Sequence, residues 1–190
     1  MFCQAGFQFF AQHLGLSPYN YLEIGVFNGD SIAQIAGGYP NKIIYGVDPF
    51  IEDGCTTDHT KVNQNEFMPT QHENTMKNIE GLENIVMLKM TSIDFAEMLT
   101  DDLISDMNVG WVLVDGSHHY TDVINDAHVA MRLIGDRQGG IVFDDVNLPG
   151  VRRAHDEFLS IYGDRVGKQM DIFDFHPGHI LAYYINHDKS

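Results

Sequence analysis

Short apolar runs alternate with helical segments along most of the chain, and this alternation constrains the fold more than any other feature. The apolar runs are typical of buried strands, because they are short and are bounded by Gly, Pro, Asn or Asp. Strands are predicted at residues 21–25, 42–48, 84–90, 110–115 and 141–145. Helices are predicted at residues 30–36, 70–80, 93–99, 120–134 and 149–162. The alternation predicts a mostly parallel sheet with helices on both faces.

Two β-rich runs close the chain, at residues 169–175 and 179–186, and His176-Pro177-Gly178 joins them. A turn this short predicts an antiparallel hairpin at one edge of the sheet. The sequence has 190 residues, enough for one domain with a proper core and too few for two ordinary ones. We therefore expect a single α/β domain over residues 1–190.

The charge and the cysteine content exclude several classes of protein. The formal net charge of −16 argues against binding to nucleic acid or to an anionic membrane, because both need a basic face. No apolar stretch is long enough to span a bilayer. Cys3 and Cys55 form neither a disulfide framework nor a zinc motif. These features predict a cytoplasmic protein that binds no nucleic acid and no membrane.

Acidic residues stand where four of the predicted strands end. Glu23 lies in the first strand, Asp48 ends the second, Asp115 ends the fourth, and Asp144 and Asp145 end the fifth. Ligands of open α/β sheets bind outside the carboxyl ends of the strands, so these acids share one edge with any bound ligand. Gly25 and Gly29 flank the turn after the first strand, where glycines let a ligand approach the backbone.

These motifs, taken in order, resemble class I S-adenosylmethionine-dependent methyltransferases. The pattern E-x-G-x-x-x-G followed by a strand ending in Asp is that family's cofactor signature. The segments GVDPF, DGSHHY and FDD are similar to the small-molecule O-methyltransferase group of macrocin O-methyltransferase and cephalosporin hydroxylase-like proteins. The resemblance runs from about residue 20 to 186. It implies a Rossmann-like methyltransferase fold with a seven-stranded sheet.

The resemblance also implies six contacts to S-adenosylmethionine. They are Glu23, Gly25 and Gly29 at the methionine and ribose end, Ser31 near the carboxylate, Asp48 at the ribose hydroxyls and Ser92 near the adenine. For Ser92 a second interpretation stays open, a helix N-cap. Residues 1–19 and a loop at residues 49–65 are expected to cover the site, the loop as a lid.

A metal site and a base are expected beside the cofactor. In related methyltransferases an acid triad holds a divalent cation, and here Asp115, Asp144 and Asp145 are the matching residues. Mg²⁺ suits such oxygen ligands and relieves the repulsion among the carboxylates. His118 is the expected catalytic base, because neutral imidazole accepts a proton near pH 7. Asp115 is the second candidate for the base.

The prediction is therefore methyl transfer to a hydroxyl of a small molecule such as a sugar, a polyol or a natural product. A nicotinamide-dependent oxidoreductase or epimerase is an alternative, disfavoured by the absence of G-x-G-x-x-G. A non-catalytic cofactor-binding protein and a metal-free methyltransferase acting on nitrogen are the others. A short apolar helix predicted at residues 2–14 and the aromatic hairpin are candidate surfaces for a homodimer.

Overall fold

The computed structural model describes residues 13–50, 64–173 and 179–186, with side chains described at 13–50, 71–167 and 180–186. These residues form a seven-stranded sheet with the order β3-β2-β1-β4-β5-β7-β6. The strands are β1 (Asn20–Ile24), β2 (Ile44–Val47), β3 (Ile85–Leu88), β4 (Val109–Val114), β5 (Gly139–Phe143), β6 (Val166–Phe173) and β7 (His179–Ile185). The first five strands pair in parallel, whereas β7 is antiparallel to both β5 and β6.

The helices cover both faces of the sheet. They are α1 (Asp30–Gly38), α2 (Gln64–Asn78), α3 (Ser92–Met98), α4 (Asp101–Met107), α5 (Tyr120–Ile134) and α6 (Pro149–Tyr162). Alternate residues of β4 pack into two separate apolar clusters, with Val112 against the α5 and α6 side and Leu113 against the α1 side. A central strand buried on both faces is continuously apolar for this reason. The predicted fold class is confirmed.

Two elements differ from the prediction. Helix α2 begins at Gln64 rather than near residue 70, and α4 was not predicted. Helix α4 is short, and its N-terminus is set by Thr100, whose side chain accepts a hydrogen bond from the Leu103 amide at 3.2 Å. A seven-residue helix has too few turns to show an apolar period.

Several predicted segments fall wholly or partly outside the described residues. They are the N-terminal helix, most of the 49–65 loop and the turn at 176–178. Among the helices that are described, none is long and apolar enough to cross a membrane.

Candidate functional site

The turn after β1 makes close contact with the loop after β4. Gly25 has a φ of 88°, and a Cβ there would lie 2.2 Å from the backbone oxygen of Asp115. Only glycine combines this left-handed conformation with so close an approach. Gly29 ends the same turn and is the N-cap residue of α1. Asp30 and Ser31 lie in the first turn of that helix.

The Asp48 carboxylate holds this turn in place. Its Oδ2 atom accepts hydrogen bonds from the backbone amides of Val26 and Phe27, both at 2.9 Å. Its Oδ1 atom accepts one from the amide of Phe50 at 2.7 Å. Asp48 therefore organises the backbone where the cofactor is expected, in addition to the ribose contact that the sequence predicts for it.

Helix α2 lies over the same turn. The Thr75 hydroxyl contacts the carbonyl oxygen of Phe27, and the Asn78 side-chain amide donates to the carbonyl oxygen of Asn28 at 2.9 Å. Neither residue was predicted from the sequence, because a contact between a turn and a helix almost fifty residues later leaves no local pattern.

Glu23 is fully buried behind the turn, between the hydroxyl groups of Tyr21 and Ser31. Tyr21 donates to Oε2 at 3.1 Å, and Ser31 donates to Oε1. Burial raises the pKa of Glu23 to about 8, although the two hydroxyl groups partly oppose that shift. Ser31 thus joins Glu23 to the first turn of α1.

Ser92 begins α3, and the cap of that helix is Thr91, whose hydroxyl accepts the Asp94 amide at 3.1 Å. The alternative interpretation of Ser92 as an N-cap is therefore wrong. Beside Ser92 lies Asp126 of α5, which is 1% exposed. Burial raises the pKa of Asp126 to about 7, while Ser92 and Asn125 lower it in part.

Asp126 was missed because it occupies an unremarkable position within a helix. Its Oδ1 atom makes no hydrogen bond to any of the described residues. Its Oδ2 atom lies close to Gly116, in the loop after β4. A buried carboxyl therefore connects the loop after β4 with the start of α3.

Asp115 and Asp144 end adjacent strands and are partly buried. Burial raises the pKa of Asp115 well above its usual range, and the charges of Asp144, Glu23 and Asp145 raise it further. Burial likewise raises the pKa of Asp144 to about 6, although the backbone amide of Asp145 opposes the shift through a 2.7 Å hydrogen bond. The raised pKa values distinguish both carboxyl groups from ordinary surface acids.

His118 pairs with Asp145 rather than with Asp115. Its Nε2 atom lies 3.2 Å from Oδ2 of Asp145, and both side chains are about one third exposed or less, at 28% and 34%. Asp145 has a φ of 52°, a left-handed conformation that Asp tolerates better than most residues. This backbone conformation lies at the point where the chain turns from β5 toward α6.

The three carboxylates do not form a metal site as predicted from the resemblance. Among the side chains described, at residues 13–50, 71–167 and 180–186, no group of three or more His, Cys, Asp or Glu residues is arranged to hold a metal ion. Asp145 is directed to His118, and Oδ1 of Asp144 accepts the amide of its neighbour. In this arrangement the described side chains do not form a site that would hold Mg²⁺. Metal binding therefore remains only a prediction from the resemblance.

The structure brings the other predicted residues to one edge of the sheet. Gly25 and Asp115 are in backbone contact, Asp48 holds the turn, and His118 stands on the loop after β4. Gly25 permits this packing of the turn against the loop after β4, because a Cβ would overlap the Asp115 backbone.

The chain is similar in sequence to one protein family and to one curated protein. Residues 22–146 match the family described as methyltransferase domain. Uncharacterized protein R132 of Acanthamoeba polyphaga mimivirus is 32% identical over 127 residues, which is 66% of this chain. The chain spans about half the length of that relative, 50%.

Solved structures share the fold at low sequence identity. A Staphylococcus aureus protein assigned as a caffeoyl-CoA O-methyltransferase superposes with a TM-score of 0.63 at 11% identity, covering 97% of this chain and 85% of its own. The N-methyltransferase NodS of Bradyrhizobium japonicum, solved with S-adenosyl-L-homocysteine, gives a TM-score of 0.56 at 12% identity, covering 97% and 88%. Both are similar in fold, and the narrower resemblance to the macrocin group stays a prediction.

Proposed function

Because the chain belongs to the methyltransferase domain family, we propose that it transfers a methyl group from S-adenosylmethionine to a hydroxyl oxygen of a small molecule. One observation carries the proposal. The glycine turn held by Asp48 lies against the loop after β4, and that same loop carries His118, which pairs with Asp145 after β5. A cofactor cradle and a proton acceptor therefore share one edge of the sheet.

The cradle is formed by backbone and by buried acids. When bound, S-adenosylmethionine supplies an electrophilic methyl group on a positively charged sulfur. Gly25 lets the turn pack directly against the Asp115 carbonyl, and Asp48 fixes the amides of Val26 and Phe27. NodS, of similar fold, was solved with the demethylated cofactor, which supports this assignment.

The His118–Asp145 pair removes the acceptor's proton. As the acceptor oxygen forms its bond to the methyl carbon, the carbon–sulfur bond breaks and its electron pair stays on sulfur. Nε2–H of His118 donates to Oδ2 of Asp145, and the hydroxyl proton passes to the other nitrogen of the His118 ring. The Asp145 carboxylate stabilises the protonated ring, and such base catalysis contributes about 100- to 10,000-fold. None of these steps uses a metal.

The first experiment is calorimetric titration of the purified chain with S-adenosylmethionine, S-adenosylhomocysteine and NAD. Micromolar binding of the first two and none of NAD supports the proposal. Binding of NAD alone would identify a nicotinamide-dependent enzyme instead. If none of the three compounds binds, the proposed cofactor is wrong and only the fold assignment remains.

The second experiment is methyl transfer to a panel of catechols, sugars, polyols and primary amines, with and without Mg²⁺. His118→Ala should keep cofactor binding and lose about 100-fold or more of the transfer. His119→Ala is the matched control, because that side chain is an exposed neighbour at the start of α5. Transfer only to amines would contradict the proposal that the acceptor is a hydroxyl group. Activation by Mg²⁺ that is lost in Asp144→Asn would support the predicted metal site.

A further inference from the structure

Gly150 is the second residue of α6, and its backbone touches the loop that carries His118. A Cβ at this position would lie 2.2 Å from the carbonyl oxygen of His118 and 3.2 Å from the backbone nitrogen of Tyr120. Non-bonded carbon and oxygen atoms separate to more than 3 Å, so any side chain would push the loop and the helix apart by about 1 Å. The contact is with backbone, which cannot rotate away.

A glycine inside a helix needs a reason, because it costs about 1 kcal/mol relative to alanine. Gly37, in the last turn of α1, shows the ordinary case, since a Cβ there would meet nothing within 4 Å. The Gly150 backbone does not have a positive φ, so its conformation suits alanine. What opposes a side chain at Gly150 is the His118 carbonyl.

The same loop is attached to α6 at further points. His118 pairs with Asp145, which precedes α6. The Tyr120 hydroxyl contacts the Glu157 carboxylate, and the Arg153 guanidinium lies 3.8 Å above the centre of the Tyr120 ring. The distance between loop and helix is therefore set by Gly150 and held by these side chains.

We infer that Gly150 is a positioning residue for His118. Its missing side chain lets the loop close to the separation at which His118 Nε2 and Asp145 Oδ2 pair. The importance of that pair for catalysis rests on the proposed function, whereas the positioning itself is measurable without cofactor or acceptor. A displacement of about 1 Å in a catalytic group can cost about 100-fold in rate.

Nitrogen-15 NMR of the histidine rings tests the positioning directly. The His118 ring resonances would be compared in the wild type, Gly150→Ala, Asp145→Asn and the control Gly37→Ala. Asp145→Asn should shift the Nε2 resonance, because it changes the group bound to that atom. Gly150→Ala should shift it in the same direction, and Gly37→Ala should leave it at the wild-type position.

Three results would overturn the inference. They are a His118 spectrum unchanged in Gly150→Ala, a spectrum unchanged in Asp145→Asn, and a Gly150→Ala chain that does not fold, which would make Gly150 a residue of overall stability. With an acceptor from the panel, Gly150→Ala should lower kcat about 100-fold while leaving cofactor binding unchanged. The same substitution in a His118→Ala background should cost little, because a residue that acts through His118 has nothing left to position.

An equal loss in both backgrounds would also contradict the inference. Failure of the chain to bind S-adenosylhomocysteine would instead remove the proposed function, and the NMR comparison would still decide the role of Gly150. The two failures are thus distinguishable.

Discussion

Oδ2 of Asp48 lies 2.9 Å from the backbone nitrogen of Val26, so the acid that ends β2 holds the turn that follows β1. Together with the amides of Phe27 and Phe50, this makes three hydrogen bonds from backbone to one carboxylate. A carboxylate has about four acceptor positions. One position on Oδ1 is left for a ribose hydroxyl, so we expect a single bond to the ribose from Asp48.

Asp48→Asn should weaken both the fold and the binding of the cofactor. The substitution replaces one acceptor oxygen with a donor that faces backbone amides, and an unsatisfied buried group costs about 1–3 kcal/mol. We expect that loss in the free energy of unfolding by urea, with an affinity for S-adenosylhomocysteine lower by about tenfold or more. Asp136→Asn, an exposed acid after α5, should change neither quantity. Wild-type affinity in Asp48→Asn would contradict the role of the carboxylate.

Thr75→Val tests whether α2 supports the glycine turn. The side chain is fully buried, and valine keeps its shape while removing the hydroxyl group that contacts the Phe27 carbonyl. The loss of one buried hydrogen bond should cost about 1 kcal/mol and lower the affinity for S-adenosylhomocysteine about fivefold. Thr121→Val removes an exposed hydroxyl group and serves as the control. A stability loss without any change in affinity would mean that Thr75 serves only its own helix, where it also contacts the Gln71 carbonyl.

The sequence predicted those parts of the site that depend on the chain's local order. An acid or a glycine at the end of a predicted strand can be recognised from the sequence alone. A parallel sheet then brings the ends of these strands to one edge. Gly25, Asp48 and Asp115 were found in this way. The alternation of strands and helices likewise predicted the sheet, and the short turn between the last two β-rich runs predicted its antiparallel final strands.

The contacts that were missed join elements distant in the chain. Asp126 lies among apolar residues at helical spacing, and nothing local distinguishes it from a surface acid until α5 packs against α3. Gly150 follows a proline at a helix start, where its contact with His118 depends on how two loops meet. The partner of His118 was also unpredictable, because three acids end strands nearby and backbone conformation selects Asp145.

Glu23→Gln should be tolerated at neutral pH, whereas Glu23→Ala should not. With a pKa of about 8, the Glu23 carboxyl is mostly protonated at pH 7, and glutamine has the same shape and a similar donor and acceptor pair. Alanine leaves the hydroxyl groups of Tyr21 and Ser31 without their buried partner. We expect wild-type unfolding by urea for the glutamine variant at pH 7 and a loss of about 2–4 kcal/mol for alanine. A glutamine variant as unstable as alanine would show that the carboxyl is ionised at neutral pH.

Asp126→Asn should flatten the dependence of stability on pH. The pKa of Asp126 is raised to about 7 in the folded chain, by burial above all, whereas an unfolded Asp titrates near 3.9. Because the folded pKa is the higher one, the folded state binds the proton more tightly. The resulting stabilisation is complete below about pH 4 and is lost as pH rises to 7, at up to about 1.4 kcal/mol per pH unit.

Asparagine carries no titrating proton, so the difference in the free energy of unfolding between variant and wild type should move in the variant's favour from pH 5 to pH 8. Urea unfolding at four values of pH in that range measures the difference. Asp136→Asn corrects for the change in net charge and should give a constant difference, because that side chain is exposed. A difference for Asp126→Asn that is equally constant would mean that the carboxyl is ionised throughout. The connection between α5 and Ser92 would then be held by a charge rather than by a neutral acid.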